Sequence, residues 1–500
     1  LSRHLSELGD RIRAVLALDP TAEAVEYQGA WTDWKTIADI ASAVESRLTA
    51  AGLGPGSPVG LILRNHPAMV AALLGVLLVN GCVVTINASS GDARLAADLE
   101  DLRLPAVIGL GTDWRRPSVA DAAKGALGLE VATNPASVQP VAGLEDPGPG
   151  PFRSGQPGVA VEMLTSGTTG TPKRVPLSYK AFQHTVAAAG AHYGTHDGGH
   201  VRLRSGVAII SSPLVHMSGL FRTLLNICEG RRIALLERFR VDDFVDLVVR
   251  HRPKAVSLVP SALAMVLDGA VPPEVFSSVQ VVTSGTAPLP VDLQEAFEDR
   301  YDVAVLPSYG ATEFAGGVAG WNLALYRGWA KTKRGSVGRP QRGREVRIVS
   351  PDDGRELPPG AQGQIEVRTR GGDWVRTTDL GRLDEDGFLF VDGRTDDAII
   401  RGGFKISPAD IVNALRSHPA VRDAGVTGLP DARLGAVPVA AVELADGAHA
   451  EPDELLEFLR QRLTRYQVPA RLLVVDELPR TPSLKVSQPA LRELFEQEPT

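Results

Sequence analysis

The sequence predicts an α/β protein: a large N-terminal domain of layered α/β sheets plus a β-rich subdomain, followed by a small α+β C-terminal domain. Three observations predict it. First, through roughly the first 340 residues, short apolar runs alternate with helical patterns, as in "VGLILR" (59–64), "VAIISS" (207–212), "AVSLVP" (255–260) and "VQVVTSG" (279–285). Nearly continuous β-branched runs suit strands covered on both faces, and their alternation with helices argues for largely parallel sheets. Second, from Glu345 the texture turns to short strands and turns, "REVRIVSPDDGRELPPGAQGQIEVR", an antiparallel, hairpin-rich stretch with "PDDG" as a turn. Third, the last hundred or so residues alternate helix and strand: "SPADIVNAL", "PVAAVEL", "DELLEFLRQRL", "RLLVVDEL" and a final helix. In the first of these, Ser407 reads as N-cap, Pro408 as the first helical residue and Asp410 as the capping-box acid.

A chain of 500 residues with 44% apolar and 22% charged side chains builds a sizeable core. Its net charge of −7 lacks the basic footprint of a nucleic-acid binder, and no polybasic run suggests an anionic membrane surface. The two cysteines, Cys82 and Cys228, have no metal or redox spacing; they read as buried thiols of a cytoplasmic protein. The uncharged stretch 67–86 is about long enough to span a bilayer. Asn80-Gly81 interrupts it, however, so it reads as a buried helix followed by the strand "CVVTI", with no stable membrane insertion. The charged, helix-like start shows no signal peptide.

The densest chemistry lies in "TSGTTGTPK" (165–173). Gly167 and Gly170 permit positive φ and close approach of backbone N–H groups to an anion. Thr165, Ser166, Thr168 and Thr169 add hydroxyl donors, and Lys173 adds charge. A strand ("VAVEML") precedes it and a helix start is expected after Pro176, so the loop reads as an anion cradle between strand and helix. Taken alone, a polar surface turn would explain the same composition.

The loop resembles the signature of adenylate-forming enzymes: acyl- and aryl-CoA synthetases, peptide-synthetase adenylation domains and luciferases. The family's other motifs follow in order: "PLVHMSG" (213–219), "SGTAPLP" (284–290), "SYGATE" (308–313), "GSVGRP" (335–340), "RTTDLG" (376–381), "GRTDDAIIRGG" (393–403) and "PRTPSLKV" (479–486). The resemblance covers essentially the whole chain. It implies an N-terminal ATP- and acyl-binding domain at 1–395, a mobile C-terminal domain at 397–500, and a hinge at Asp396. Four negative charges crowd the reacting centre when a carboxylate attacks the α-phosphate of ATP, so the site must supply cations and oriented donors.

Position by position, the resemblance places the β- and γ-phosphates on residues 165–173. Gly285, Thr286, Ala287, Tyr309 and Gly310 fall beside the adenine, and Thr312 at the α-phosphate. Glu313 is the Mg²⁺ contact, in the usual style of one carboxylate plus phosphate oxygens. Asp379 accepts both ribose hydroxyls, Arg394 adds a ribose or phosphate contact, and Lys485 stabilises charge during adenylation. His216 and Ser284 shape the acyl pocket. Gly402 and Gly403 line the CoA channel after the small domain swings. Singly, Glu313 and Asp379 would read as solvated or N-capping acids, Lys485 as a surface lysine and His216 as a core histidine. Thr378 and Leu484 stand where the family commonly has glycine, Asp410 replaces a common glutamate, and Val215 is smaller than the usual aromatic.

The resemblance implies an acyl-CoA synthetase using ATP, Mg²⁺ and CoA. Because "PLVHMSGL" and "SLVPSALAMVL" are apolar, the expected small-molecule acid is hydrophobic, a fatty acid first and an aryl acid second. A stand-alone enzyme that loads a carrier protein is the further alternative. No acidic residue in the pocket segment suits the amine of an α-amino acid.

Overall fold

The uncharged stretch at 67–86 folds as a helix and a strand. Helix Pro67–Leu78 has proline in its first turn and buries all 12 of its residues, the pattern of a core helix. Asn80 follows at φ +57, a left-handed value that asparagine tolerates better than most residues. Strand Cys82–Asn87 then enters the sheet, its first five residues buried. Among the described residues, no helix is long and apolar enough to cross a membrane.

The computed structural model describes residues 7–165, 173–192, 201–369, 371–395, 398–401, 404–431 and 433–497. Packing divides the chain into two units, the first running to Arg334 with 341–343 added, the second comprising 335–340 and the chain from Arg344 onward. The β-rich stretch after Glu345 falls in the second unit.

The first unit holds three sheets. The seven-stranded one runs Ala136–Pro140, Leu127–Thr133, Ala106–Gly109, Pro58–Leu63, Cys82–Asn87, Val159–Thr165, Lys173–Ser178. Its five inner strands are parallel, and both edge strands are antiparallel. A four-stranded sheet joins Arg204–Ile210, Arg231–Leu235, Glu23–Tyr27 and Ala30–Asp33. In the third, Ala255–Ser257, Val281–Ser284 and Ala304–Ala311 are parallel and Gly316–Gly320 returns antiparallel. The layered α/β expectation holds.

One local expectation fails. The signature loop does not lie between strand and helix. Val159–Thr165 pairs antiparallel with Lys173–Ser178, with Thr165 opposite Lys173, so residues 166–172 connect two strands, and the helix Tyr179–His192 begins only later. Pro176 is tolerated because Lys173–Ser178 is an edge strand, and Leu177 anchors that strand in the core. A strand, not a helix N-terminus, follows the connection, so the expected helix-dipole contribution to anion binding falls away.

The second unit contains a four-stranded antiparallel sheet, Arg344–Val349, Gly363–Thr369, Trp374–Leu383, Leu389–Arg394. Beyond it in the chain lies the small α+β layer: Phe404–Ile406, Ile399–Arg401, Gly435–Leu444 and Val421–Asp431, with Arg471–Val475 parallel to Gly435–Leu444. Helices Pro408–Arg416 and Pro452–Arg460 cover one core with Ile411, Leu415, Leu455 and Leu459. Helix Gln488–Gln497 buries Leu491 and Phe495 in a second cluster. Ser407 is the N-cap as expected, but its side chain makes no bond to the helix backbone. Its hydroxyl serves the Asp410 carboxylate instead, so the capping box is incomplete.

Candidate active site

In the first unit, the expected adenine and magnesium residues gather at the carboxyl ends of parallel strands, the usual ligand edge of an open α/β sheet. Ser284 ends strand Val281–Ser284 and pairs with Pro307. The neighbouring Ser308 hydroxyl donates to the Ser284 carbonyl at 3.2 Å. Thr286 takes φ +71, a turn that swings the chain off the strand. Tyr309 and Gly310 lie at the end of strand Ala304–Ala311, opposite Ala319 and Gly317, with a bulge between them. Gly310 is required by close approach: a Cβ there would sit 2.5 Å from the Gly316 carbonyl oxygen. Thr312 and Glu313 follow in the one-turn helix Thr312–Phe314.

Glu313 is exposed. No cluster of three or more His, Cys, Asp or Glu side chains suited to a metal occurs among the described residues. A single projecting carboxylate fits Mg²⁺ carried on substrate phosphates and does not fit a cage made wholly of protein.

The acyl-segment residues sit beside this edge. His216 is the half-buried N-cap of helix Met217–Cys228. Gly219 allows that helix to start against its own entry loop, since a Cβ would fall 2.2 Å from the Pro213 oxygen. Phe221 lies near Gly316 on the hairpin. The Ser284 hydroxyl is buried with no hydrogen-bond partner among the described residues.

Two residues here escaped the sequence reading. Asn65, 2% exposed, donates to the carbonyls of Ser212 (3.1 Å) and Leu236 (2.7 Å) and accepts from the Leu214 N–H at 2.8 Å. It thereby fixes the "PLVHMSG" segment against the first sheet's strand end. Arg222 donates to the Thr283 hydroxyl at 2.8 Å, tying the helix to strand Val281–Ser284. An asparagine closing the apolar run "VGLILRN" was the available signal for the first; a lone arginine in a helix carries none.

In the second unit, three expected residues from distant parts of the chain converge. Asp379 and Arg394 are cross-strand partners, with the guanidinium Nε 3.9 Å from the carboxylate. Arg394 also donates to the Thr378 hydroxyl at 2.6 Å. Thr378, the departure from glycine, thus orients the arginine, while its carbonyl accepts from Thr395 N–H at 2.7 Å. Lys485 joins them. Loss of solvation, then the Arg394 charge, push its pKa below the ordinary lysine value, with Asp379 opposing. Lys485 is an exposed residue. Leu484, the other departure from glycine, adopts φ +62, the left-handed conformation glycine would take there without strain.

Thr165 and Lys173 are placed as the strand ends flanking the signature loop. Ser166, Gly167, Thr168, Thr169 and Gly170, the hinge Asp396, and Gly402 and Gly403 lie outside the described residues.

The expected residues thus fall on two units: strand-end residues on the α/β unit, and a lysine, an arginine and a carboxylate on the second. Comparison with known proteins places the chain among the AMP-forming acid–thiol ligases. The chain belongs to the adenylate-forming superfamily, matching the AMP-binding enzyme family over residues 12–372 and the AMP-binding enzyme C-terminal domain over 411–485. It is similar to the 2-succinylbenzoate–CoA ligase of Bacillus pumilus, 31% identical over 95% of each chain. Among solved structures it resembles o-succinylbenzoate CoA synthetase from Bacillus subtilis in complex with its acyl-adenylate intermediate, with TM-score 0.76, 25% identity, and 98% and 99% of the two chains covered. It also resembles the amide bond synthetase McbA from Marinactinospora thermotolerans, with TM-score 0.78, 27% identity, and 98% and 100% covered. As a member of the CoA-ligase branch, it works on ATP, Mg²⁺, CoA and a small carboxylic acid.

Proposed function

We propose that the protein is an aryl-acid–CoA ligase, activating an aromatic carboxylic acid of the 2-succinylbenzoate type as its adenylate and transferring the acyl group to CoA. The observation that carries the chemistry is the meeting of Lys485, Arg394 and Asp379 in the second unit. Full-length similarity to 2-succinylbenzoate–CoA ligases supports the acid class. The fatty-acid expectation finds no support among these relatives, and its sequence basis has another explanation. In "SLVPSALAMVL", Leu258, Ala262, Leu263 and Val266 are at most 1% exposed; they build the core under the third sheet.

In the first half-reaction a carboxylate oxygen of the acid attacks the α-phosphorus and pyrophosphate leaves. Lys485 offsets charge building on the α-phosphate, helped by Arg394 and by a Thr312 donor. Asp379 accepts the ribose hydroxyls, a task for an acceptor with two oxygens. Tyr309 and the 285–287 turn hold the adenine, and residues 165–173 hold the departing pyrophosphate. Glu313 would hold Mg²⁺, which supplies neutralising charge to the triphosphate when bound. In the second half-reaction the CoA sulfur attacks the acyl carbon and AMP leaves. The family motifs assign the hinge to Asp396 and the approach of the thiol to Gly402 and Gly403, all outside the described residues, and His216 and Ser284 shape the acid's pocket.

The test is ATP–pyrophosphate exchange with 2-succinylbenzoate, substituted benzoates and straight-chain acids of graded length, followed by thioester formation with CoA. Saturable exchange with an aromatic acid and CoA-dependent AMP release are expected. Saturation by straight-chain acids alone would remove the aryl-acid assignment.

A further inference from the structure

The segment that presents Lys485 is a small closed loop. Arg480 and Val486 form an isolated antiparallel bridge. Thr481 N–H donates to the Lys485 carbonyl at 2.7 Å, Leu484 N–H to the Thr481 carbonyl at 2.8 Å, and Ser487 N–H to the Pro479 carbonyl at 2.7 Å. Lys485 N–H donates to the Thr481 hydroxyl at 3.2 Å. These bonds close the loop on itself and do not orient it on the sheet below.

Leu478 N–H, 3.3 Å from Glu443 Oε2, and Val486, packed against the Leu491 and Phe495 cluster, hold the loop's two ends to the sheet; the Arg480 side chain adds a link close to Lys485 itself. Its Nη2 lies 2.7 Å from Asp423 Oδ2 on strand Val421–Asp431 and 3.3 Å from Glu443 Oε2 on strand Gly435–Leu444. Its Nη1 reaches the Leu484 carbonyl at 3.4 Å, one residue before Lys485. Arg480 is mostly buried, and Glu443 nearly wholly so. One planar fork therefore joins two strands to the peptide preceding the lysine, and the left-handed Leu484 is held at that point.

We infer that Arg480 is a positioning residue for adenylation: it touches no substrate but sets where Lys485 stands. The inference rests on the adenylation role proposed for Lys485. The network is built to survive its loss, because Asp423 retains Arg416 at 2.9 Å and Glu443 retains Arg422. Removing Arg480 leaves both acids paired, so the fold need not fail with the function.

The experiment measures both half-reactions of the full chain. Arg480→Met should lower kcat for ATP–pyrophosphate exchange about a hundredfold, the scale of a 1 Å misplacement of a reacting group. KM for ATP should stay within about twofold, and thioester formation from supplied 2-succinylbenzoyl-adenylate and CoA should be preserved. Arg480→Lys keeps the charge without the fork and should show the same asymmetry at smaller size; it decides the matter if Arg480→Met does not fold. Lys485→Ala combined with Arg480→Met should exchange no more slowly than Lys485→Ala alone. Equal losses in both half-reactions, or independent losses in the double variant, overturn the inference. Slow exchange in Lys485→Ala beside normal exchange in Arg480→Met overturns it alone; undiminished exchange in Lys485→Ala removes the reading beneath it.

Discussion

Gly310→Ala tests whether the strand end that carries Thr312 and Glu313 is as tightly registered as its contacts imply. The added methyl would lie 2.5 Å from the Gly316 carbonyl oxygen, 3.1 Å from the Gly316 carbonyl carbon and 3.2 Å from the Gly317 Cα. All three are backbone atoms of the paired strand Gly316–Gly320, so no side chain can turn aside. The shortest contact falls short of ordinary van der Waals separation by roughly 1 Å. Relief requires the Gly310–Gly317 pair to open, directly ahead of Thr312 and Glu313. Overpacking of this kind costs about 1–3 kcal/mol of stability, and displacement of reacting groups by about 1 Å costs about a hundredfold in rate. ATP–pyrophosphate exchange should fall by that order, with a lower thermal midpoint. Gly328→Ala is the control: it lies in helix Leu323–Trp329, where an added methyl would meet nothing within 4 Å, and should stabilise by up to about 1 kcal/mol. Wild-type exchange in Gly310→Ala would refute the assignment of this edge to the nucleotide.

Lys485 must be charged to serve adenylation, and its pKa lies below lysine's ordinary 10.5. Exchange should thus be intact below the folded-state pKa and lost as pH rises through it, and Lys485→Arg should move this alkaline limb upward; an unmoved limb would argue against the role. Ser284→Ala removes a buried hydroxyl without a partner among the described residues, so stability should hold or rise by about 1 kcal/mol while KM for the acid increases; an unchanged KM takes Ser284 out of the acid pocket. Asn65→Ala strands the Leu214 N–H and two carbonyls and should cost about 1–3 kcal/mol in denaturant unfolding, with a weakened acid KM. Burial pushes both Cys82 and Cys228 thiols up to about 12, so neither should react with a thiol reagent in the folded protein at about pH 8. The unfolded chain releases these protons first, so stability should decline from about pH 9 upward; rapid labelling of the native protein would show the thiols are not buried.

Much of the fold was legible because its signals are local. The β-branched runs became strands, Asn80-Gly81 ended the buried helix, and "PDDG" turned with Gly354 at φ +71. Other features depend on partners far away in the chain. The helix expected after Pro176 is present as Tyr179–His192, but the edge strand Lys173–Ser178 ahead of it was missed, and only the pairing of Thr165 with Lys173 reveals it. Apolarity in 257–267 suggested a greasy pocket, yet burial assigns Leu258, Ala262, Leu263 and Val266 to the core. Composition reports that a residue avoids water; it does not report whether substrate or protein covers it.

The sequence by itself determined the class: ordered motifs that mark the superfamily and nominate a phosphate loop, Glu313, Asp379, Arg394 and Lys485, residue types whose charge or donor geometry suits the steps proposed for them. Tertiary structure decided how those groups are held. Asn65 on the acyl segment, Thr378 on Arg394 and the Arg480 fork beneath Lys485 act across gaps of 149, 16 and 57 residues. Hydrogen bonds and ion pairs of that reach follow from strand register and packing, which no local pattern encodes.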